Sequence, residues 1–165
     1  MASSFDVLFR YTGEAVGKMR NEVTVVGELP SGNGTFEIAT DEGALLGGDA
    51  TAPTPLHYFT AALTGCLMTQ IRAFARRFGV DLQGLRVEGT TAWRAEIGAD
   101  RTHDAQYVGF EVDVHIDSPS STAAVHDLVR AARRACFVEQ TLAPGVITGH
   151  RVHHDGAVLD LEAAA

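Results

Sequence analysis

Residues 54–79 read TPLHYFTAALTGCLMTQIRAFARRFG, and this stretch decides the fold. Thr54 is a good helix cap, and Pro55 suits the first helical turn, where its missing N–H costs nothing. Apolar side chains then recur at helical spacing: Leu56, Phe59, Leu63, Leu67, Ile71, Phe74 and Phe78. Because Gly79 ends the run, the pattern predicts one helix, roughly 36 Å long at 1.5 Å per residue. A helix this apolar is expected at the centre of the fold.

The residues before this helix have the composition of β-strands. Residues 5–11, 22–26 and 34–40 are rich in β-branched and aromatic types or alternate between polar and apolar. Residues 12–14 and 30–34 carry glycine, proline and asparagine, which are typical of turns. The pattern predicts a three-stranded meander.

After the helix, two further strands are predicted at residues 85–96 and 106–116, the second with one wet face. Either Ser118 or Ser121 begins a second helix, with Pro119 inside its first turn, and Cys136 ends the apolar stripe of that helix. Residues 146–152 and 157–161 are predicted to be closing strands. The order of elements is not the alternation of a parallel α/β fold, so we expect a single α+β domain over residues 1–165.

The bulk composition narrows the function. Hydrophobic residues make up 45% of the 165 residues and the net charge is −8, so an anionic partner such as nucleic acid or a membrane surface is not expected. No apolar run approaches the ~18 residues that span a bilayer. The N-terminus lacks the features of a signal peptide, so a cytoplasmic location is expected.

Two cysteines, Cys66 in the long helix and Cys136 in the second, leave two hypotheses open. Each could be a core residue, since free cysteine packs as a small hydrophobe. Together they could form a redox pair if the two helices pack side by side. A reactive thiol needs a positive neighbour that favours the thiolate. The candidates are Arg20, Arg10, Lys18 and the group Arg72, Arg76 and Arg77, for which a solvated helix face is the preferred interpretation.

The histidines suggest no metal site. His150, His153 and His154 lie close together in sequence, but no carboxylate or cysteine set accompanies them at ligand spacing. His57, in the first turn of the long helix, could be a capping residue or a functional one.

Two motifs carry a family resemblance. Residues 54–66, TPLHYFTAALTGC, resemble the segment around the first cysteine of the OsmC/Ohr superfamily, and residues 136–142, CFVEQTL, are similar to the segment around its second cysteine. Residues 40–43 and 47–48 resemble the family's approach loop. The separation of the cysteines and the element order match too, so the resemblance covers most of the chain.

The resemblance implies an OsmC/Ohr-like fold, with curved antiparallel sheets wrapped around two central helices in an intertwined homodimer. It also implies a thiol peroxidase of oxidative-stress defence, in which Cys66 attacks an organic hydroperoxide and Cys136 resolves the product. It implies no bound cofactor, but an external dithiol reductant, such as a lipoyl group.

The chain departs from the family at the site. The family's glutamate lies nine or ten residues before the first cysteine, where this chain has His57 and Leu56, and Phe137 replaces the family's proline. Arg20 is the preferred arginine, and His57 could tune the thiol. Apolar residues around the cysteines could line a substrate pocket: Leu56, Tyr58, Phe59 and Phe137. The alternatives are therefore a non-catalytic dimer that binds a small hydrophobic molecule, or a redox sensor.

Overall fold

The computed structural model describes residues 4–29, 32 and 34–161. The chain divides into two units, Met1–Phe59 and Thr60–Ala165, and the boundary falls inside the long helix. The single domain expected over residues 1–165 stays a prediction. Helices and two separate sheets are both present, which confirms the α+β class.

Three strands form an antiparallel meander in the first unit. They are β1 (Leu8–Ala15), β2 (Asn21–Glu28) and β3 (Gly34–Thr40), and β2 lies in the middle. Side chains with high strand propensity face each other across the ladders, with Val25 opposite both Tyr11 and Phe36. The predicted meander is confirmed.

The first turn lies later in the chain than predicted. Residues 12–14 belong to β1, where Gly13 pairs with Val23, so the turn predicted there is wrong. The hairpin closes instead through the Val16 N–H, which donates to the Arg20 carbonyl at 3.0 Å. A full antiparallel ladder between β1 and β2 forms more backbone hydrogen bonds than a local turn at Gly13 would, so the ladder is favoured. Of the second predicted turn, Pro30, Ser31 and Asn33 lie outside the described residues.

The long predicted helix is confirmed. Helix α1 (Pro55–Ala75) continues as a 3-10 turn (Arg76–Phe78) and ends at Gly79, whose φ of 66° lies in the left-handed region that favours glycine. Four residues on one face are buried: Leu63, Leu67, Ile71 and Ala75. The predicted apolar stripe is more exposed at its two ends, at Leu56 and Phe78.

The second unit contains a four-stranded sheet in the order β4-β5-β6-β7. Its strands are β4 (Gly84–Ile97), β5 (His103–Asp117), β6 (Ile147–His154) and β7 (Ala157–Asp160). The expected antiparallel arrangement holds for β4 with β5 and for β6 with β7, but β5 and β6 are parallel. The reason is the helical connection between them, which brings the chain back to the edge of the sheet where β5 begins.

Helix α2 (Thr122–Ala135) forms that connection, followed by the short helix α3 (Phe137–Gln140). Ser121 is the N-cap of α2, and its hydroxyl accepts a hydrogen bond from the Ala124 N–H at 3.3 Å. Of the two predicted starts, Ser121 is therefore correct. Pro119 precedes the helix, so its predicted place inside the first turn is wrong.

The core of this unit lies on one face of the sheet. Strand β5 buries Val112, Val114 and Ile116, while Glu111 is exposed and Asp113 is half-buried on the other face. The predicted wet face is thus confirmed, although Val108 is exposed. Residues of α2 complete the core: Val125, Leu128, Val129, Ala131 and Ala132.

Candidate functional site

The two cysteines lie at different depths in the second unit. Cys66 is half-buried in α1, whereas Cys136 has none of its surface exposed. Cys136 ends α2 and is also the N-cap of α3, so it occupies the junction between the two helices. Both residues are free thiols.

The electrostatics of Cys136 show that the two thiols are neighbours. Its pKa is raised to about 12, first by burial and then by a hydrogen bond and charge interaction with Cys66. The backbone N–H of Glu139 donates to the sulfur and acts in the opposite direction. Because burial outweighs that hydrogen bond, Cys136 keeps its proton at neutral pH. The structure therefore brings together the two cysteines that the sequence singled out.

An ion pair that the sequence analysis missed lies beside Cys136. The Nε atom of Arg133 donates to Oε1 of Glu139 at 2.7 Å, and the Glu139 side chain is only 8% exposed. The Gln140 side chain also donates to the Arg133 carbonyl at 3.1 Å. Breaking one partner of a buried ion pair is strongly destabilising, so these contacts fix the corner that holds Cys136. Arg133 lies in α2 and Glu139 lies in α3, so the spacing of the pair does not match the spacing of contacts within one helix.

Arg20 is held at the end of the β1–β2 hairpin in the first unit. Its Nε and Nη2 atoms donate to Oε1 of Glu22 at 2.8 and 2.7 Å. On the other edge of the guanidinium, Nη1 donates to the Thr51 hydroxyl at 2.8 Å and lies 3.4 Å from the Thr51 carbonyl. The side chain is 32% exposed, so the group is half-buried and held on two sides.

Thr51 is in turn held by Asp41, which is almost fully buried. The Thr51 hydroxyl and N–H donate to Oδ2 of Asp41 at 2.8 and 2.9 Å, and the Glu42 N–H donates to Oδ1 at 2.8 Å. These hydrogen bonds, those of Thr51 first, lower the pKa of Asp41 below its ordinary value. Asp41 is therefore an ionised carboxylate that holds the loop before α1 through its hydrogen bonds to Glu42 and Thr51.

His57 lies where α1 begins and has the geometry of a cap. Its Nδ1 atom is 3.2 Å from the backbone nitrogen of Thr54 and 2.7 Å from the Thr54 hydroxyl. Because both Thr54 groups can donate, Nδ1 is the acceptor and the ring proton is assigned to Nε2. The bond from the Thr54 N–H to the His57 side chain is one half of a capping box, with histidine in place of the usual glutamate or glutamine. The His57 N–H donates to the Thr54 carbonyl, so the reciprocal bond to the hydroxyl is replaced.

The predicted pocket residues are partly exposed, and one of them is held by a hydrogen bond. Leu56 is 51% exposed and Phe137 is 52% exposed, while Phe59 is half-buried. The Tyr58 hydroxyl donates to the Ala39 carbonyl at 2.9 Å, which ties the start of α1 to the end of β3. A substrate pocket formed by these residues stays a prediction.

The other basic candidates are accounted for by surface contacts. Arg10 pairs with Glu28 at 2.9 Å and Lys18 pairs with Asp49 at 2.8 Å, and both basic side chains are exposed. The three arginines at the end of α1 are exposed too, which agrees with the predicted solvated face: Arg72, Arg76 and Arg77.

The clustered histidines of β6 point in different directions. The Nε2 atom of His153 lies 2.7 Å from a carboxylate oxygen of Asp113, and Arg151 donates two hydrogen bonds to the same carboxylate. The His153 ring also stacks on the His115 ring on the wet face of the sheet. His150 and His154 are buried on the opposite face. Within residues 4–29, 32 and 34–161, no three His, Cys, Asp or Glu side chains are placed to hold a metal ion.

Comparisons with known proteins identify the family of this chain. The family model described as "OsmC-like protein" matches residues 47–150, a range that includes both cysteines. Among curated proteins, none matches this chain significantly. In the described part of the chain, no helix is long and apolar enough to cross a membrane.

Solved structures provide further similarity. An OsmC-like hydroperoxide resistance protein from Jannaschia sp. CCS1 is 40% identical, with 93% of this chain and 97% of that chain covered and a TM-score of 0.54. An organic hydroperoxide resistance protein OsmC from Legionella pneumophila is 16% identical over 92% and 97% of the two chains, with a TM-score of 0.58. The OhrB protein of Bacillus subtilis is 17% identical over 88% and 96%, with a TM-score of 0.52.

Proposed function

Because the chain belongs to the OsmC-like protein family, we propose that it is a thiol peroxidase that reduces organic hydroperoxides. The family match and the 40% identical hydroperoxide resistance protein support a general role in peroxide resistance. The proposal adds the mechanism, with Cys66 as the attacking thiolate and Cys136 as the resolving thiol.

The first step is a displacement at oxygen. The Cys66 thiolate attacks the distal oxygen of the hydroperoxide ROOH, an S–O bond forms and the O–O bond breaks. The alkoxide leaves with the electron pair and takes up a proton to become the alcohol ROH. Cys66 is oxidised to a sulfenic acid, and the hydroperoxide is reduced by two electrons.

The second step forms the disulfide. The Cys136 sulfur attacks the sulfur of the Cys66 sulfenic acid, an S–S bond forms, and hydroxide leaves and is released as water with the proton of Cys136. An external dithiol, such as a lipoyl group, then reduces the disulfide by thiol–disulfide exchange and is itself oxidised to a cyclic disulfide. No bound cofactor takes part in this cycle.

The proximity of the two thiols is the observation that carries the proposal. A hydrogen bond and a charge interaction with Cys66 both raise the pKa of Cys136, so the two thiols are close enough to influence each other. Its high pKa, about 12, suits a resolving cysteine, which stays protonated and inert until a sulfenic acid forms beside it. The less buried Cys66 is the one that a substrate can reach first.

Arg20 and His57 are the residues that we propose to tune the Cys66 thiolate, because the family resemblance implies an arginine in that role. An arginine is the cation that can favour a thiolate at every physiological pH, and Arg20 is half-buried with its donors already oriented. His57 is proposed to offer its Nε2–H as a donor, because Nδ1 is occupied by Thr54. Leu56, Tyr58, Phe59 and Phe137 would provide the apolar surface for the alkyl group.

A homodimer in the cytoplasm is proposed as the working form. A line of small residues stays exposed along α1: Ala61, Gly65, Thr69 and Ala73. These positions are four residues apart and therefore lie on one face, where small side chains permit close helix packing. A second copy of the chain is the partner that the family implies for this face.

A binding function without turnover is the second candidate. Leu56 and Phe137 expose about half of their large apolar side chains, and neither Leu56 nor His57 supplies the family's carboxylate. Such a protein would hold a small hydrophobic molecule and use its cysteines as core residues. A redox sensor would share the disulfide but not the rapid recycling.

Thiol titration with intact mass measurement separates these functions. The reduced protein is mixed with one equivalent of tert-butyl hydroperoxide, and we expect loss of both thiols with a mass decrease of about two daltons as the two S–H protons leave. Cys66→Ser should abolish the reaction, whereas Cys136→Ser should stop at a single oxidation of Cys66. Two thiols that stay unreacted would reject the peroxidase and favour the binding function.

Turnover with a lipoyl dithiol separates an enzyme from a sensor. With excess hydroperoxide and dihydrolipoamide, a peroxidase consumes many equivalents of hydroperoxide per protein. A sensor would form the disulfide once and recycle it slowly.

A further inference from the structure

Cys136 lies at the break between α2 and α3, and an ion pair joins the two helices across that break. We propose that this pair, Arg133 with Glu139, positions the Cys136 sulfur for its attack on Cys66. Glu139 is the positioning residue, and Arg133 holds it in place. The inference rests on the proposed function, because it concerns the step that closes the disulfide. All four residues belong to the unit Thr60–Ala165.

The backbone of Cys136 is held by one hydrogen bond from each helix. Its N–H donates to the Arg133 carbonyl at 3.1 Å, and its carbonyl accepts from the Gln140 N–H at 2.9 Å. Between these two bonds the chain is extended, with a φ of −74° and a ψ of 102°, so the helical conformation is interrupted at this residue. The position of the sulfur therefore depends on how α3 is held against α2.

Arg133 holds α3 with both its side chain and its backbone. Its Nε atom donates to Oε1 of Glu139 at 2.7 Å, and its carbonyl also accepts from Nε2 of Gln140 at 3.1 Å. The side chains of Arg133 and Glu139 are 21% and 8% exposed, so water competes little for the pair. Charge-assisted hydrogen bonds of this length are about twice as strong as neutral ones. The ion pair is thus a strong contact that a single substitution can remove.

Glu139 also contacts the sulfur that reacts. Its backbone N–H donates to the Cys136 sulfur, and this hydrogen bond lowers the pKa of the thiol. Its carboxylate raises the same pKa, because a nearby negative charge disfavours a thiolate. Anchoring the Glu139 side chain on Arg133 fixes the residue whose N–H orients the sulfur. The guanidinium also offsets part of the negative charge that opposes ionisation of Cys136.

The resolving step needs an oriented sulfur. The Cys136 sulfur supplies the electron pair of the new S–S bond, the S–O bond of the Cys66 sulfenic acid breaks, and the oxygen leaves as water with the Cys136 proton. Such a displacement is fast only when the attacking atom is close to its target and aligned with the bond that breaks. We therefore expect loss of the ion pair to slow this step and to leave the first oxidation of Cys66 unchanged.

A disulfide probe measures the resolving attack without hydroperoxide. One equivalent of dithiodipyridine first forms a mixed disulfide with Cys66 and releases one thiopyridone. Cys136 then attacks the Cys66 sulfur, and a second thiopyridone leaves as the disulfide between the two cysteines forms. The two phases of thiopyridone absorbance give the reactivity of Cys66 and the rate of the resolving attack. We expect two thiopyridones per chain for the wild type and one for Cys136→Ser.

Substitutions of equal charge separate position from charge. Glu139→Gln and Glu139→Ala both remove the carboxylate, but only the glutamine can still accept a hydrogen bond from Arg133. We expect the second phase to be about 10- to 100-fold slower in Glu139→Ala than in Glu139→Gln, since misplacement of a reacting group by ~1 Å has effects of this size. The second phase of Glu139→Gln should be no slower than that of the wild type, because the carboxylate raises the pKa of Cys136. The first phase should be the same in all three proteins.

Further variants test whether the two residues act as a pair. Arg133→Met should slow the second phase as Glu139→Ala does, and the double variant should be no slower than the slower single variant. Arg151→Met is the matched control, because Arg151 forms a half-buried ion pair with Asp113 at 2.6 Å on the wet face of the sheet. It should change neither phase. If Glu139→Ala does not fold, Glu139→Asp keeps the charge but is too short for the same contact, and its second phase should be slower than that of the wild type.

The outcomes are distinct. Equal second phases in the wild type and in all three Glu139 variants would overturn the inference and leave the proposed peroxidase intact. An equally slow second phase in Arg151→Met would also overturn it, because the effect would then be a general loss of stability. Release of only one thiopyridone by the wild type would overturn the attack of Cys136 on Cys66 itself. If the wild type fails to react with tert-butyl hydroperoxide, the proposed function fails, but the thiopyridone phases still decide the role of the ion pair.

Discussion

The Nδ1 atom of His57 accepts from both the backbone N–H and the hydroxyl of Thr54, at 3.2 and 2.7 Å. The bond from the Thr54 N–H to His57 satisfies a backbone donor at the start of α1, as one half of a capping box does. We expect His57→Ala to lower the free energy of unfolding by about 1 kcal/mol at pH 8, because a cap is lost. His57→Gln should keep most of the stability, since a glutamine can accept the same hydrogen bond.

Urea denaturation followed by circular dichroism would measure this effect. His103→Ala is a suitable control, because His103 is an exposed histidine at the start of β5. Equal stability of the His57 and His103 alanine variants would show that the cap contributes nothing.

Cys136 should be much less reactive than an ordinary thiol. With its pKa at about 12, its thiolate fraction near pH 7.5 is about a thousandfold below that of a free cysteine. We therefore expect iodoacetamide to label Cys66 first in the reduced native protein and to leave Cys136 almost untouched. Peptide mass spectrometry after timed quenching measures both rates.

The unfolded protein provides the reference for this prediction. In 8 M urea both cysteines should react at similar rates, because burial no longer raises the pKa of Cys136. Rapid labelling of Cys136 in the native state would contradict the buried position of its thiol.

His150 should make the protein less stable in acid. It is fully buried, neither ring nitrogen has a hydrogen-bond partner among the described residues, and burial is the main cause that lowers its pKa to about 3. The unfolded chain binds a proton near pH 6.5, but the folded chain does so only near pH 3. Above pH 6.5 His150 is neutral in both states, and the folded state keeps its full stability. As the pH falls from 6.5 toward 3, only the unfolded chain binds the proton, so the free energy of unfolding falls by about 1.4 kcal/mol per pH unit.

The variant His150→Leu isolates this effect. Replacing an unpartnered polar ring with an apolar side chain of similar volume should be neutral or stabilising at pH 8. At pH 4.5 the variant should unfold at a higher urea concentration than the wild type. Parallel stability curves for the two proteins between pH 4 and 8 would reject the assigned role of His150.

The sequence predicted the elements whose signal is local and periodic. The apolar spacing from Leu56 to Phe78, the cap at Thr54 and the glycine at 79 all mark α1, and the structure has the helix at those residues. The alternation in β5 likewise predicted its wet and dry faces. The turn at residues 12–14 failed because the pairing of β1 with β2 is a long-range contact that overrides local turn propensity.

The sequence singled out candidate site residues mainly where a motif marked them. Cys66 and Cys136 stand in recognisable segments, but Glu22 and Thr51 reach Arg20 through tertiary contacts across the hairpin and the loop before α1. Arg20 comes directly before β2 and Glu22 is the second residue of that strand, so their spacing was only a weak signal for their contact. Nothing in the spacing of Asp41 and Thr51 indicates that they share a hydrogen bond.

The exposed face of α1 gives a test of the proposed dimer. At Gly65 an added Cβ atom would meet no heavy atom within 4 Å among the described residues, and the position is exposed, so the single chain has room for a larger residue there. Gly65→Arg should even favour the helix, because glycine is about 1 kcal/mol less favourable than the best helix formers. In a dimer packed through this face, the same arginine would collide with the partner helix and bring an unpaired charge into the interface. We therefore expect light scattering to give twice the chain mass for the wild type and for Gly65→Ala, and the single-chain mass for Gly65→Arg with unchanged or higher helix content. A dimer that persists in Gly65→Arg would place the interface on another surface.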